Sequence, residues 1–176
     1  MVKEEFATGA SSTHVLRIFV WSILASFLVC SSNELDGADV SILPEKVTIL
    51  SYSEAARAFF PCSRNGPIGV ASSSLPTTSE VISAEERLRT FVQNRLGRSV
   101  DDFYRQYAAL NIDGKRVLYI NAFYTHGFAI EIFSPNWRIK YVDICDGSDA
   151  FWGVEYHLDK RTFFNLETNP GPTRRD

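Results

Sequence analysis

The chain has 176 residues, 45% hydrophobic and 13% aromatic, which is enough for one ordinary domain with a short appendage and too apolar for wholesale disorder. Its 18 basic and 21 acidic residues leave a net charge of −3, so the basic surplus expected of a nucleic-acid binder is missing.

The first informative stretch is Ile18–Cys30, IFVWSILASFLVC, an apolar run interrupted only by serines. Lys3 and Arg17 precede it, and Glu34, Asp36 and Asp39 follow. A run of this length is short for a membrane span of about 20 residues and matches the apolar centre of a secretory signal. Basic residues before it and acidic ones after it orient the N-terminus inward. Residues 1–32 therefore read as a signal peptide or an N-terminal membrane anchor, with residues 15–30 as the anchoring segment in the second case. Cys30 is a candidate lipid acceptor. The expectation is an exported chain, periplasmic or secreted, that meets a membrane only through this segment.

Residues 33–82 read as an N-terminal extension and linker. Glu45–Leu50 has the Val, Thr and Ile content of a short strand, and Ser53 is placed to cap a short helical turn that Pro61 ends. Pro61–Thr78 is dense in Pro, Gly and Ser and predicts an irregular loop. The main domain is expected at 83–167. Ser83-Ala84-Glu85-Glu86 is a capping box, followed by Leu88, Phe91, Val92 and Leu96 on one helical stripe that Gly97 closes. Ser99–Leu110 reads either as a second capped helix or, in its second half, as a strand. The strand is favoured because Asp113-Gly114 then turns directly into Arg116–Tyr124, a run rich in β-branched and aromatic residues. Gly127–Phe133 reads as a further strand piece or an insertion, and His126 as a loop residue.

Arg138–Leu166 predicts three strands joined by two tight turns, at Asp146-Gly147 and Asp159-Lys160. Trp152, Val154, Tyr156 and Leu158 alternate with Gly153, Glu155 and His157, which gives one apolar face and one wetter face. Residues 168–176 read as a flexible tail. The expected fold is α+β: one amphipathic helix packed on an antiparallel meander of about four to five strands, in the order of cystatin-like or NTF2-like folds.

The stretches Arg105-Gln106-Tyr107, Asp113-Gly114-Lys115-Arg116, Tyr119-Ile120-Asn121 and Cys145-Asp146-Gly147, together with Phe151-Trp152-Gly153-Val154-Glu155-Tyr156, resemble a group of small exported bacterial proteins with a C-D-G-x-x-x-F-W-G-V-x-Y hairpin near the C-terminus. The resemblance covers roughly residues 83–167. It implies an exported α+β domain and no particular activity or site residues.

Candidate chemistry is sparse. Removing residues 1–32 leaves Cys62 and Cys145, an even count in an exported domain and hence a candidate disulfide worth roughly 3–5 kcal/mol. Cys145 with His157 is a candidate thiol–imidazole pair for a nucleophilic mechanism. Asp143, Asp146 and Asp149 recur every third residue around a glycine turn, a weak calcium-like pattern. Trp137, Phe151 and Phe163 are candidates for an exposed aromatic binding surface, since alternation puts Phe151 and Phe163 on the face opposite Trp152. No cofactor motif is recognisable. The expected function is a non-catalytic binding or inhibitor-like module of the cell envelope, with an unknown protein or envelope ligand as partner. The alternative is a small hydrolase using Cys145/His157 or an Asp-bound metal.

Overall fold

Thr77 and Glu80 start the long helix. The Thr77 hydroxyl accepts from the Glu80 amide at 3.2 Å, and the Glu80 carboxylate accepts from the Thr77 amide at 2.7 Å, a reciprocal cap. In this computed structural model, which describes residues 43–124 and 134–171, the helix α2 therefore runs Thr78–Leu96. Its cap lies six residues before the Ser83 box read from the sequence, because Thr77-x-x-Glu80 offers the same chemistry earlier. The earlier start adds Val81 to the buried stripe of Ala84, Leu88 and Val92.

The fold is α+β, and the described residues form six strands and one long helix: β1 Val47–Ile49, a short helix α1 Tyr52–Ala55, β2 Val70–Ser74, α2, β3 Phe103–Ile112, β4 Lys115–Tyr124, β5 Phe151–His157 and β6 Thr162–Thr168. The sheet order is β1-β3-β4-β5-β6, antiparallel except for β1, which pairs parallel to β3. β2 occupies the rest of the same β3 edge, antiparallel. The sheet thus exceeds the expected four to five strands because β1 and β2 come from the stretch assigned to extension and linker. From Leu43 onward that stretch belongs to the domain: Val47 is buried in the main core, and Ser51, not Ser53, caps α1.

Ser99 caps only a single 3-10 turn, Val100–Asp102, and β3 starts at Phe103. Asp113 and Gly114 then take φ of 50° and 75°, the paired left-handed conformation that a two-residue hairpin needs, and β4 follows in register from Lys115. Register sorts the side chains. Phe103, Tyr107 and Ala109 of β3, Leu118, Ile120 and Ala122 of β4, and Trp152, Val154 and Tyr156 of β5 share the face covered by α2. Arg105 also points to this side, and its Nε and Nη2 donate to the Glu85 carboxylate of α2 at 2.7 and 2.9 Å. The Tyr107 hydroxyl donates to the same carboxylate at 2.6 Å. A buried charge held this way costs several kcal/mol to strip of its partner, so the contact pins the helix in register on the sheet.

Arg138–Cys145 is not the first leg of a meander. It forms no strand, and Asp146-Gly147 leads into a 3-10 turn at Ser148–Ala150, not a hairpin between two strands. β5 pairs instead with β4 and β6, and the Asp159-Lys160 turn does join β5 to β6. The segment 134–147 crosses the second face of the sheet. Residues 168 and 169 do not belong to a flexible tail, since Thr168 ends β6 and Asn169 is buried. Ile18–Cys30, His126 and Gly127–Phe133 lie outside the described residues. No helix among the described residues is long and apolar enough to cross a membrane.

Candidate functional site

The second face of the sheet carries a polar row that runs across it. Thr48 of β1 stands opposite Gln106 of β3, Gln106 opposite Asn121 of β4, Asn121 opposite Gly153 of β5, and Gly153 opposite Glu167 of β6. On one side of this row, Tyr104, Phe123 and Phe151 pack with Trp137 and Val142 in a small apolar cluster. On the other stand Ala108, Tyr119 and Glu155.

A segment without ladder partners must find hydrogen bonds for its buried amides elsewhere. The polar row provides them. Thr48 Oγ1 donates to the Arg138 carbonyl at 2.8 Å. Gln106 Nε2 donates to the carbonyls of Trp137 and Lys140 at 2.5 and 2.6 Å, while its Oε1 accepts from the Val142 amide at 3.0 Å. Asn121 Nδ2 donates to Gln106 Oε1 and to the Val142 carbonyl, both at 2.9 Å. Asn169 Nδ2 donates to the carbonyls of Ile144 and Asp146. Every amide hydrogen of Gln106, Asn121 and Asn169 is thereby used, and none of the three is more than 2% exposed.

Arg64 completes the arrangement. It reaches the sheet over Gly153, the one position in the row without a side chain. Its Nη2 donates to Asn121 Oδ1 at 2.5 Å and lies 3.3 and 3.4 Å from the hydroxyls of Tyr119 and Tyr141. Nε lies 3.4 Å from Tyr119 Oη, and Nη1 donates to Asn169 Oδ1 at 2.7 Å. All of these acceptors are neutral. Among the described residues no carboxylate pairs with Arg64, and one Nη1 hydrogen has no acceptor. Burial pushes the Tyr141 phenol well above its ordinary value, so it remains a neutral hydroxyl against the guanidinium.

Arg64 lines a cleft of about 610 Å³ together with Ser63, Asn65, Ser148, Glu167 and Asn169. Ser63 Oγ is buried with no hydrogen-bond partner among the described residues. The wall beside Arg64 is held by the Cys62–Cys145 disulfide, whose Cα atoms are 5.1 Å apart, within the usual range for a bridge. The Cys62 amide also donates to Asp143 Oδ1 at 3.1 Å.

No family model, curated protein or solved structure matches this chain.

The residues singled out in the sequence fall into place unevenly. Cys62 and Cys145 are joined, so Cys145 offers no thiolate while the bridge is intact. His157 ends β5 far from the turn that Cys145 leads into, and its ring stacks on Phe164 with centroids 3.9 Å apart. Burial lowers its pKa. Asp143, Asp146 and Asp149 do not assemble a metal site, and no group of three ligating side chains occurs among the described residues. Asp149 is engaged by Arg98 through two contacts of 3.1 Å. The aromatic surface is corrected too. Trp137 and Phe151 are 6% and 4% exposed, because the crossing segment covers the face on which they lie. Phe163 is half-buried against Phe91 and Tyr156 on the helix side.

Arg64, Asn121 and Asn169 were not picked out from the sequence. One signal pointed to them: a glycine in the middle of a strand of bulky residues marks a place where something else approaches the backbone.

Proposed function

We propose that this chain is an exported, non-catalytic binding module of the cell envelope, and that its ligand enters the cleft beside Arg64 through an anionic group. The observation that carries this reading is the Arg64 guanidinium, held against the sheet by neutral acceptors alone and open to the cleft. A partly buried cation without a counter-charge is costly, and an incoming anion offsets that cost with charge-assisted hydrogen bonds. The site is also rigid. Asn121 and Asn169, which orient Arg64, are themselves saturated by Gln106 and the crossing segment, so little ordering remains to be done on binding.

Export is supported by the apolar run Ile18–Cys30 and by a disulfide between two solvent-exposed residues, an arrangement suited to oxidising compartments. Kinship with small exported proteins that share the Cys145–Tyr156 motif belongs to the same reading.

Two measurements test it. Fractionation of cells expressing the full chain, with determination of the mature N-terminus and thiol titration, is expected to find an oxidised protein outside the cytoplasm. A reduced cytoplasmic protein beginning at Met1 would overturn export. Titration of the purified chain with acetate, followed by NMR, is expected to shift the Arg64 side-chain resonances and to fail in Arg64→Gln. An acetate response that survives in Arg64→Gln would remove the site from Arg64.

A further inference from the structure

The cleft beside Arg64 contains a second charge. Glu167 ends the polar row opposite Gly153 and lines the same cleft, yet it makes no ion pair with Arg64. The ion pairs of the described residues are made elsewhere, by Arg57, Arg89, Arg98, Arg105, Arg116 and Lys140 with Glu54, Asp101, Asp149, Glu85 and Glu80. One cleft therefore presents a guanidinium and a carboxylate, each without an opposite charge among the described residues, separated by more than ion-pair distance.

We propose that this cleft binds a small zwitterion, an α-amino acid or the end of a short peptide, with its carboxylate on Arg64 and its ammonium on Glu167. The inference rests on the anion-binding reading above and narrows it. Arg64 Nη1 keeps one N–H for a carboxylate oxygen. Planar carboxylates suit a guanidinium fork. Doubly charged phosphate is disfavoured because Glu167 would repel it inside the cleft. A purely apolar ligand would leave Asn65, Ser148 and both charges without partners, which is costly. A ligand with only one charge would satisfy one end of the cleft and leave the other unmatched.

The purified full chain is titrated by calorimetry with L-alanine, tri-L-alanine, acetate, methylamine and inorganic phosphate. The expected result is that at least one of the two zwitterions binds tenfold or more tightly than acetate, methylamine or phosphate. Preference for L-alanine assigns the site to free amino acids, and preference for tri-L-alanine to peptide ends. Glu167→Gln, on an edge strand, is expected to abolish the preference for the zwitterion over acetate, with acetate itself binding at least as tightly because a repelling carboxylate is gone. Arg64→Lys keeps the charge without the fork and is expected to weaken both, with circular dichroism confirming the fold. Equal affinity for acetate and both zwitterions, or a preference that survives Glu167→Gln, overturns the zwitterion assignment while leaving the anion site standing. Tighter binding of phosphate than of either zwitterion does the same. Silence from every probe overturns both readings.

Discussion

Arg64 Nε lies 3.0 Å from the point where a Cβ on Gly153 would stand, and the Tyr119 ring carbon Cζ lies 2.9 Å from it. The glycine is there to be covered: the guanidinium and the tyrosine occupy the space its side chain would take.

Gly153→Ala is accordingly expected to destabilise the fold by about 1–3 kcal/mol, the usual cost of forcing a methyl into packed space. The nearest obstacle is the Tyr119 hydroxyl, which a new Cβ would overlap. Adding Tyr119→Phe to the alanine variant should therefore recover part of the loss. Urea denaturation of the two single variants and the double variant measures this. Simple additivity of the two losses would contradict the steric account.

The Cys62–Cys145 bridge closes a loop with a sequence separation of 83 residues. Chain-entropy reasoning gives about 4.5 kcal/mol for a loop of that length, and native bridges are worth about 2–5 kcal/mol when removed. Replacing both cysteines by serine is expected to lower stability within that range. It should also loosen the wall that places Arg64, so acetate binding should fall with it. Denaturation midpoints with and without reductant, read beside the acetate titration, check both effects.

Glu54 accepts from the Tyr141 amide at 2.8 Å and from Lys140 Nζ at 3.1 Å, and so ties α1 to the crossing segment. The Tyr141 amide, with help from Lys140 and Arg57 against the opposing effect of burial, holds its carboxyl below the ordinary value of 4.5. A carboxyl depressed in the folded state stabilises it above the unfolded value, and that contribution is lost as pH falls through the folded value. Glu54→Gln should therefore be less stable than the parent at neutral pH, with the difference closing below about pH 4.5. Melting temperatures across that range report the trend, and a pH-independent gap would contradict it.

Glu155 behaves oppositely. It is 4% exposed, burial raises its pKa above the ordinary 4.5, and Asn165 Nδ2, donating at 3.1 Å, offsets only part of that. The folded state then holds the proton more tightly than the unfolded state, so stability falls as pH rises from the unfolded value through the folded one. Glu155→Gln keeps an acceptor for Asn165 and removes the ionisation. It is expected to be more stable than the parent at neutral pH and to lose that advantage in acid. The same melting series should show the two variants diverging in opposite directions.

Much of the scaffold was legible residue by residue. The stripe of Leu88, Val92 and Leu96, the Asp113-Gly114 turn, and the alternation from Phe151 to His157 are short-range signals, set by helical pitch, by left-handed φ and by the two-residue period of a strand. Pairing of Cys62 with Cys145 followed from their number and the expected compartment. Where short-range signals tied, the sequence could not choose. Thr77-x-x-Glu80 and Ser83-x-x-Glu86 are equivalent caps, and burial of Val81 against the sheet selects the first.

The tertiary structure alone decided the fate of Arg138–Cys145. Its residues have strand-like propensity, but its backbone bonds go to Gln106, Asn121 and Asn169, which are distant in sequence and brought together only by strand register. The same register buried Phe151 and Trp137, kept Asp143 and Asp149 on separate duties, and set Arg64 over Gly153. Local patterns determine which face a side chain takes within its own element. What then covers that face depends on contacts between residues far apart in the chain, and the cleft between Arg64 and Glu167 is a product of those contacts.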